Sequence, residues 1–450
     1  MFKKVLVANR GEIAVRIMRA CRELGIRTVA IFPEEDKDCL HVAYADEAYS
    51  LGSGRAGKAY LDIPLIVEVA TRSGAEAIHP GYGFLSENPY FAAICQTWGL
   101  NFIGPSAPAI ERMGIKAVAR ERMIKAGVPV VPGSKGAVDS HEYAVDLAEE
   151  IGYPVLVKAS AGGGGRGIIQ AGDKDELIAA FHKAKKDAEA AFGNAEIYIE
   201  KFLEKPRHVE VQVLADKHGN IIHLGERDCS IQRRRQKLLE EAPSPAVDPE
   251  LREKMTRAAI AAATAVGYTN AGTVEFLLDK DKNFYFLEMN TRIQVEHPVT
   301  EAITGVDIVK EQIRIAAGEP LRYQQEDIQL RGWAMQCRIN AEDPERGFLP
   351  SPGLIGDCSF PGGLGVRIDT CAYPGYTVPP YYDSLIAKVI CWGEDRKEVI
   401  SRMLRALDET YFGGIKNTID LHRAILNDPQ FQSGDIDTGY LPRFMGLPAD

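Results

Sequence analysis

A chain of 450 residues has room for about three domains at roughly 150 residues each, and 45% hydrophobic with 26% charged content suits a globular protein with a large core. A formal net charge of -10 argues against a general nucleic-acid binder, since phosphate contacts need a basic surface. Eight scattered cysteines without a CxxC pair argue against zinc frameworks and disulfide scaffolds, and predict reduced, mostly buried thiols.

No signal-peptide pattern precedes the first strand-like run, and no apolar run reaches the ~18 residues of a membrane span. The chain is read as cytoplasmic, without membrane contact. Residues 5–8 form a short apolar run, Ile13, Ile17, Cys21 and Leu24 recur at helical spacing, and 28–32 is strand-like again. Segments 63–70, 75–79, 90–98 and 101–103 repeat the alternation, which implies parallel βαβ units in a Rossmann-like domain closing near Ser106. A helix at 142–151, a strand at 154–159, a glycine cluster, a short strand and a helix at 175–192 follow as a compact inserted module. From 197 the strands look antiparallel: 208–214 alternates, 217–220 reads as a turn, and 270–278 and 283–289 flank a charged turn. The last third has its own strands and a closing helix at 396–410.

Three glycine signals compete for phosphate. The run Gly52-Ser53-Gly54-Arg55-Ala56-Gly57-Lys58-Ala59 nearly spells a P-loop, but Ala59 stands where a magnesium-binding hydroxyl is required, so it reads as a surface loop. The run Gly162-Gly163-Gly164-Gly165-Arg166-Gly167 leads into a strand rather than a helix, which suits a flexible hairpin folding over a triphosphate better than a dinucleotide fingerprint. Asn9-Arg10-Gly11-Glu12 lacks the rest of any fingerprint. Lys158 ends the strand before the glycine hairpin and Lys116 lies upstream, both candidates for phosphate.

Within 284–292, a period of two puts Glu288, Asn290 and Arg292 on one face if the strand continues, with Leu287 and Met289 toward a core. Glu275 lies on the preceding strand, and two facing carboxylates with an amide suit Mg²⁺. Glu296, four residues past Arg292, is placed to be a general base beside an anion. His297, before a proline, reads as structural rather than catalytic. Arg227, Arg233, Arg234, Arg235 and Lys237, interrupted by Asp228 and followed by Glu240 and Glu241, read as a concentrated anion pocket with some solvated members.

Taken together these segments resemble the biotin carboxylase subunit of biotin-dependent carboxylases, a branch of the ATP-grasp superfamily. The resemblance also rests on His79-Pro80-Gly81-Tyr82-Gly83-Phe84-Leu85, Gly225-Glu226-Arg227-Asp228-Cys229-Ser230, Cys337-Arg338-Ile339-Asn340 and Tyr381-Tyr382-Asp383-Ser384, and spans essentially the whole chain. It implies an α/β and α+β architecture: a Rossmann-like N-terminal domain at 1–110, an ATP-grasp domain at 111–320 with a glycine-rich lid at about 131–203, and a mixed α+β C-terminal domain at 321–450. Carried over by residue, it implies ATP contacts at Lys116, Lys158, Gly164, Gly165, Glu200, Lys201, Phe202, Leu203, His208, Arg235, Glu275 and Glu288, although the family commonly has histidine or another residue at Arg235. Glu275, Glu288 and Asn290 would hold two Mg²⁺ or Mn²⁺ ions. Lys237, Arg292, Gln294 and the Val295 backbone would hold bicarbonate, and Tyr82 and Arg338 would meet biotin.

The chemistry so implied has Glu296 deprotonating bicarbonate, which attacks the γ-phosphate to give carboxyphosphate. This decays to CO₂ and phosphate, and Arg338 stabilises the biotin enolate, with Lys237 and Arg292 completing the catalytic set. A biotin carboxyl carrier protein and a carboxyltransferase, of acetyl-CoA carboxylase type, would be separate partners, since no Met-Lys-Met biotinylation motif occurs. Pyruvate, propionyl-CoA or 2-oxoglutarate carboxylases are the alternatives, and another ATP-grasp ligase is a more distant one. A homodimer is expected, with Arg16, Arg19 and Glu23 on the first helix as the sequence's own hint. An NAD-dependent oxidoreductase would need a fingerprint that the first strand lacks.

Overall fold

The computed structural model describes residues 1–53, 58–159, 168–192 and 196–447. Strand–helix alternation builds a parallel sheet at the start of the chain, as the pattern predicts. Strands β1 (Lys4–Val7), β2 (Arg27–Phe32), β3 (Glu47–Ser50), β4 (Ala77–His79) and β5 (Asn101–Phe102) lie in the order β3-β2-β1-β4-β5, every pair parallel. Helix α1 (Gly11–Glu23) follows β1. Strand order reverses between β1 and β4, where such sheets open a crevice at their carboxyl ends. There Asn9 Nδ2 donates to the carbonyls of Pro80 and Tyr82, each at 2.7 Å. Gly81 between them has φ +64°, and a Cβ would stand 2.9 Å from Asn9 Nδ2, so only glycine fits.

Strands β6 (Val155–Ala159), β7 (Ile168–Ala171) and β8 (Ile197–Lys201) form a small sheet with β6 central and antiparallel to both neighbours. The helix His141–Ile151 and α2 (Lys174–Phe192) cover it, packing Ala144, Leu177 and Phe181 on Val155, Val157 and Ile199. Residues 160–167, between β6 and β7, lie outside the described residues. The segment before this unit ties it to the main sheet: Val130 bridges to Phe286 and Gly133 to Glu200. A Cβ on Gly133 would fall 2.4 Å from the Ile199 carbonyl oxygen, so this close approach also needs glycine.

The main sheet is antiparallel. It comprises β9 (Arg207–Ala215), β10 (Ile221–Arg233), β11 (Gln236–Ala242), β12 (Asn270–Leu278), β13 (Phe284–Asn290), β14 (Trp333–Asn340), β15 (Val366–Thr370) and β16 (Leu385–Gly393). Their order is β13-β12-β9-β10-β11-β14-β16-β15, so one sheet runs from the middle of the chain into its last third through the β11–β14 pair. One face is apolar: Val209, Val211, Val213, Val274 and Phe276 pack on Met255, Ala259 and Ala262 of α3 (Pro249–Ala265). Each such valine or phenylalanine contributes about 1.5–3 kcal/mol by burial. The elements predicted from the sequence omit α3, although Asp248 caps it, accepting from the Leu251 N–H at 2.9 Å, with Pro249 in the first turn. Its alanine-rich run blurs the helical period.

The opposite face of these strands is polar and equally buried, carrying His208, Glu210, Gln212, Arg227, Thr273 and Glu275. The alternation in 208–214 therefore marks two covered faces, not one wet one. Leu287 corrects an expectation: it is 40% exposed rather than in the core. The β12–β13 register passes from Glu275↔Glu288 to Phe276↔Phe286, which makes Leu287 the extra residue of a β-bulge. The bulge lets Phe286 and Met289 both reach the core while Glu288 faces Glu275.

Helix α4 (His297–Thr304) joins the three parts of the chain. Its Glu301 accepts from Arg16 of α1 at 2.9 Å and from Arg367 of β15 at 2.7 Å. Arg16 also lies 2.6 Å from Asp307 and is buried within the chain. Arg19 is half-buried, and exposed Glu23 pairs with Lys310. Seven cysteines are buried and Cys358 half-buried. Among the described residues no helix is long and apolar enough to cross a membrane.

Burial pushes the Glu301 carboxyl up, but Arg16 and then Arg367 more than reverse this, and it titrates at about 2 against an ordinary 4.5. Stability from this depressed group is full above pH 4.5 and is lost as pH falls through about 2. The destabilisation caused by Glu301→Gln should therefore shrink as pH falls across that window, read as thermal midpoints of both proteins. A gap that stays constant would show that the charge is not its source.

Candidate active site

Lys237, the second residue of β11, is the centre of the polar face. Its Nζ lies 2.6 Å from Glu210 Oε2 on β9, 2.9 Å from Glu275 Oε1 on β12, 2.7 Å from Glu296 Oε1 and 3.1 Å from Gln294 Oε1. An ammonium has three protons, so these acceptors share them. Burial works against the charged lysine, yet the three carboxylates outweigh it and hold its pKa well above the ordinary value. Glu210 shows the converse: burial raises its carboxyl although Lys237 and Arg227 pull it down. Glu275 is also buried, but Lys237 and His208 bring it well below the usual range.

Glu296 caps the N-terminus of α4, where the helix dipole favours an anion. One oxygen accepts from Lys237 and the other from an Arg338 terminal nitrogen at 2.9 Å. Arg338, on β14, also donates through Nε to Glu240 at 2.5 Å, and Glu240 is fully buried. Burial alone would raise the Glu296 carboxyl, but Lys237, Arg338 and Arg227 hold it far below the ordinary value. The expected base and the expected biotin-side cation thus share one carboxylate.

β13 ends at Asn290, so Arg292 is not on it; its guanidinium nevertheless reaches back to Asn290 Oδ1 at 2.8 Å. Arg292 Nε donates to Glu87 at 2.9 Å, and Glu87 also accepts from the Thr291 N–H. Glu275 Oε1 accepts from Asn290 at 2.8 Å and from Gln294 at 2.9 Å. Glu288 stands directly opposite Glu275. Burial and then the Glu275 charge raise its pKa, with Lys116 opposing them. Two facing carboxylates, one of them short of a cation, and an amide oxygen make a hard-oxygen donor set that fits Mg²⁺. A second grouping, His208, Glu210 and Glu275, has ligand atoms close enough for a metal, but Lys237 already stands among its carboxylates. A third, Glu210, Cys229 and Glu296, includes a thiol that burial pushes well up and so keeps protonated.

Among the residues expected to meet the nucleotide, His208 Nε2 lies 3.0 Å from Glu275 Oε2, and the carboxylates raise its pKa despite burial. Lys158 pairs with Glu200 on the small sheet. Lys201 Nζ donates to the Gly152 and Tyr153 carbonyls at 3.0 and 2.9 Å, and the Phe202 N–H to Pro154. Leu203 is half-buried, and Lys116 is exposed at the start of its helix. Gly164 and Gly165 lie outside the described residues, as do residues 54–57 of the P-loop-like run.

The arginine run does not form one anion pocket. Arg227 is fully buried and spends its guanidinium on Glu210, Gln212, Thr300 and Thr273. Arg233 stacks over Phe348, and Arg235 is exposed at the β10–β11 turn with φ +64°. Of that run, Lys237 and Arg227 meet the carboxylate cluster, both through Glu210. Tyr82 donates to Glu12, and both Arg338 and Asp383 are close enough to act on it electrostatically. The Val295 carbonyl accepts from Lys388 at 3.1 Å.

Sequence reasoning misses Glu210, Glu240, Glu87, Glu12 and Lys388. Glu210 has a signal, as the middle polar residue of an alternating strand. Glu240 reads only as an acidic end to a basic run.

Comparisons with known proteins agree along the chain. The model for "Biotin carboxylase, N-terminal domain" matches residues 1–110, that for "Carbamoyl-phosphate synthase L chain, ATP binding domain" 116–324, and that for "Biotin carboxylase C-terminal domain" 336–443. The chain is 59% identical to biotin carboxylase 1 of Bacillus subtilis, covering 99% of both chains. It is 56% identical to a pyruvate carboxylase subunit of Methanothermobacter thermautotrophicus, covering 100% of this chain and 92% of that one. A crystal structure of the biotin carboxylase domain dimer of Hydrogenobacter thermophilus 2-oxoglutarate carboxylase, with MgADP, ADP and bicarbonate, aligns at TM-score 0.91 and 54% identity, covering 100% of both chains.

Removing Lys237 should take from three buried carboxylates the one cation that they share, leaving Arg227, Arg338 and His208 to offset them singly. Lys237→Met is expected to cost on the order of 3–5 kcal/mol of stability, and adding Glu210→Gln should recover part of it. Urea unfolding of the two variants checks this; a loss below about 1 kcal/mol, the scale of an exposed pair, would mean that the cluster does not depend on Lys237.

Proposed function

The chain belongs to the biotin carboxylase family, and from that premise we infer how its own residues divide the carboxylation of biotin. It is an ATP-dependent ligase that carboxylates biotin with bicarbonate, using ATP and Mg²⁺. In our reading the parts at 1–110, 111–320 and 321–450 meet around α4, beside the Lys237 cluster. Glu275, Glu288 and Asn290 hold the metal, which when bound neutralises phosphate charge as the γ-phosphoryl group moves. Lys116, Lys158 and His208 take the phosphates, with Gly164 and Gly165 of the lid. Glu200, Lys201, Phe202 and Leu203 frame the adenine, and Arg235 approaches the nucleotide from its turn.

Bicarbonate is assigned to Lys237, Arg292, Gln294 and the Val295 N–H, beside Glu296. Glu296 removes its proton, and the oxyanion attacks the γ-phosphate, expelling ADP and giving carboxyphosphate, which decays to CO₂ and phosphate. The phosphate takes the ureido N–H proton of biotin, Arg338 stabilises the enolate oxygen so formed, with Tyr82 alongside, and the ureido nitrogen bonds to CO₂. The observation that carries this reading is the Glu296 carboxylate, bridged by Lys237 at 2.7 Å and Arg338 at 2.9 Å. That contact supports the reading, in which Glu296 is the base of the first step and Arg338 the cation of the last.

The partners in this reading are a biotin carboxyl carrier protein, a carboxyltransferase of the acetyl-CoA type and a second copy of the chain, at work in the cytoplasm. Relatives of similar identity bear pyruvate and 2-oxoglutarate carboxylase names, which supports a first half-reaction common to all, with the acceptor set by the transferase.

Two variants separate the roles. Glu296→Gln should depress bicarbonate-dependent ATP hydrolysis about 10²–10⁴-fold, with or without biotin, because proton transfer is lost while shape is kept. Arg338→Gln should spare biotin-independent hydrolysis and strongly reduce carboxybiotin formation. Circular dichroism guards against unfolding, since Glu240 loses its partner in the second variant. If Glu296→Gln left ATP turnover intact, or folded Arg338→Gln lost both activities equally, this assignment would be wrong.

A further inference from the structure

The polypeptide between Gln294 and Glu296 is held from behind by two buried side chains that the chemistry above does not use. His297 is fully buried, and its Nδ1 lies 2.7 Å from the Gln294 carbonyl oxygen. A carbonyl can only accept, so Nδ1 carries the proton. Nε2 lies 3.9 Å from Glu301 and makes no hydrogen bond among the described residues, as an unprotonated nitrogen would. Burial above all brings the ring pKa to about 3, so it is neutral at pH 7. One peptide further on, fully buried Lys388 donates to the Val295 carbonyl at 3.1 Å. Its ammonium is anchored 3.0 Å from Glu12 Oε2 and 3.8 Å from Asp369 Oδ2.

Neither peptide is cis, and in a trans peptide the N–H points opposite to the C=O. Drawing the Gln294 carbonyl toward the His297 ring turns the Val295 N–H away from it. Drawing the Val295 carbonyl toward Lys388 does the same for the Glu296 N–H. Neither N–H donates to any described residue, although paired backbone groups are the rule in a protein interior. Successive outward N–H groups form an anion-binding concavity.

We propose that His297 and Lys388 are positioning residues, which pin the two carbonyls flanking Val295 from the interior so that its N–H is held ready for bicarbonate. The inference rests on the assignment of Val295 as a bicarbonate donor. It changes the standing of His297 from a packing residue to one that acts on the substrate through a peptide plane. Lys388 takes part from the C-terminal third of the chain, and Glu12 anchors it from the first helix.

Imidazole ¹⁵N spectra of the full chain should show His297 as the neutral Nδ1–H tautomer at pH 7; an Nε2–H or charged ring would overturn the proposal without any variant. With ¹⁵N-valine labelling, the Val295 amide, located by its loss in Val295→Ile, should shift as bicarbonate is added. His297→Asn keeps a donor near the Nδ1 position, whereas His297→Gln moves it by one methylene. The glutamine variant should raise the bicarbonate KM about fivefold, the worth of one hydrogen bond, with the ATP KM within about twofold, and the asparagine variant should stay near wild type. Equal behaviour of the two variants, or a parallel rise in both KM values, would overturn the positioning role. A Val295 amide that ignores bicarbonate while the tautomer is as stated would instead sink the assignment of Val295.

Discussion

Three carboxylates from three stretches of chain converge on one lysine ammonium inside a covered sheet face. Glu210, Glu275 and Glu296 could not stay charged there without Lys237, because desolvating an ion costs several kcal/mol unless close partners offset it. Much else follows from keeping that group of charges together. β9, β11 and β12 must hold a fixed register, and the loop before α4 must enter at one position to bring Glu296 within 2.7 Å of Nζ. Arg227 must stay beneath Glu210 as a second cation, which explains why so basic a residue is fully buried. The apolar packing of the reverse face on α3 supplies the rigidity that this arrangement requires.

The same requirement reaches the ends of the chain. Arg338 brings the C-terminal third to Glu296, and Lys388 brings it to Val295. Glu12 and Arg16 bring the first helix to Lys388 and Glu301. Apolar packing joins them as well: Ile13 and Ile17 of the first helix share a buried cluster with Ile293, Val309 and Ile313, so buried charge around α4 and an apolar seam beside it hold the parts together.

Local signals in the sequence are legible where one element decides the outcome. The alternation that predicts a parallel N-terminal sheet depends only on neighbours along the chain, and the five strands follow it. The facing pair Glu275 and Glu288 is legible because a short hairpin sets their register. The bulge at Leu287 is not, since nothing in a strictly alternating run reveals an inserted residue. The arginine run is only partly legible: Arg227 and Lys237 do meet, through Glu210, but Arg235, which composition places with them, stands exposed at a turn. Glu240 and Lys388 belong to contacts between segments roughly a hundred residues apart, which no single-sequence spacing encodes.

The clamp on Glu296 also bears on the order of events. A carboxylate held far below its ordinary pKa is a weak base, and bicarbonate would keep its proton beside it. The clamp consists of Lys237 and Arg338, the two cations to which the proposed reading assigns bicarbonate and biotin. An anion lying against Lys237 takes up part of the charge that now stabilises Glu296, which lowers the cost of protonating it, so in this reading its basicity rises as bicarbonate enters. In this reading the ion pair between Glu296 and Lys237, which helps to hold the site together, is the one that bicarbonate must loosen before proton transfer begins.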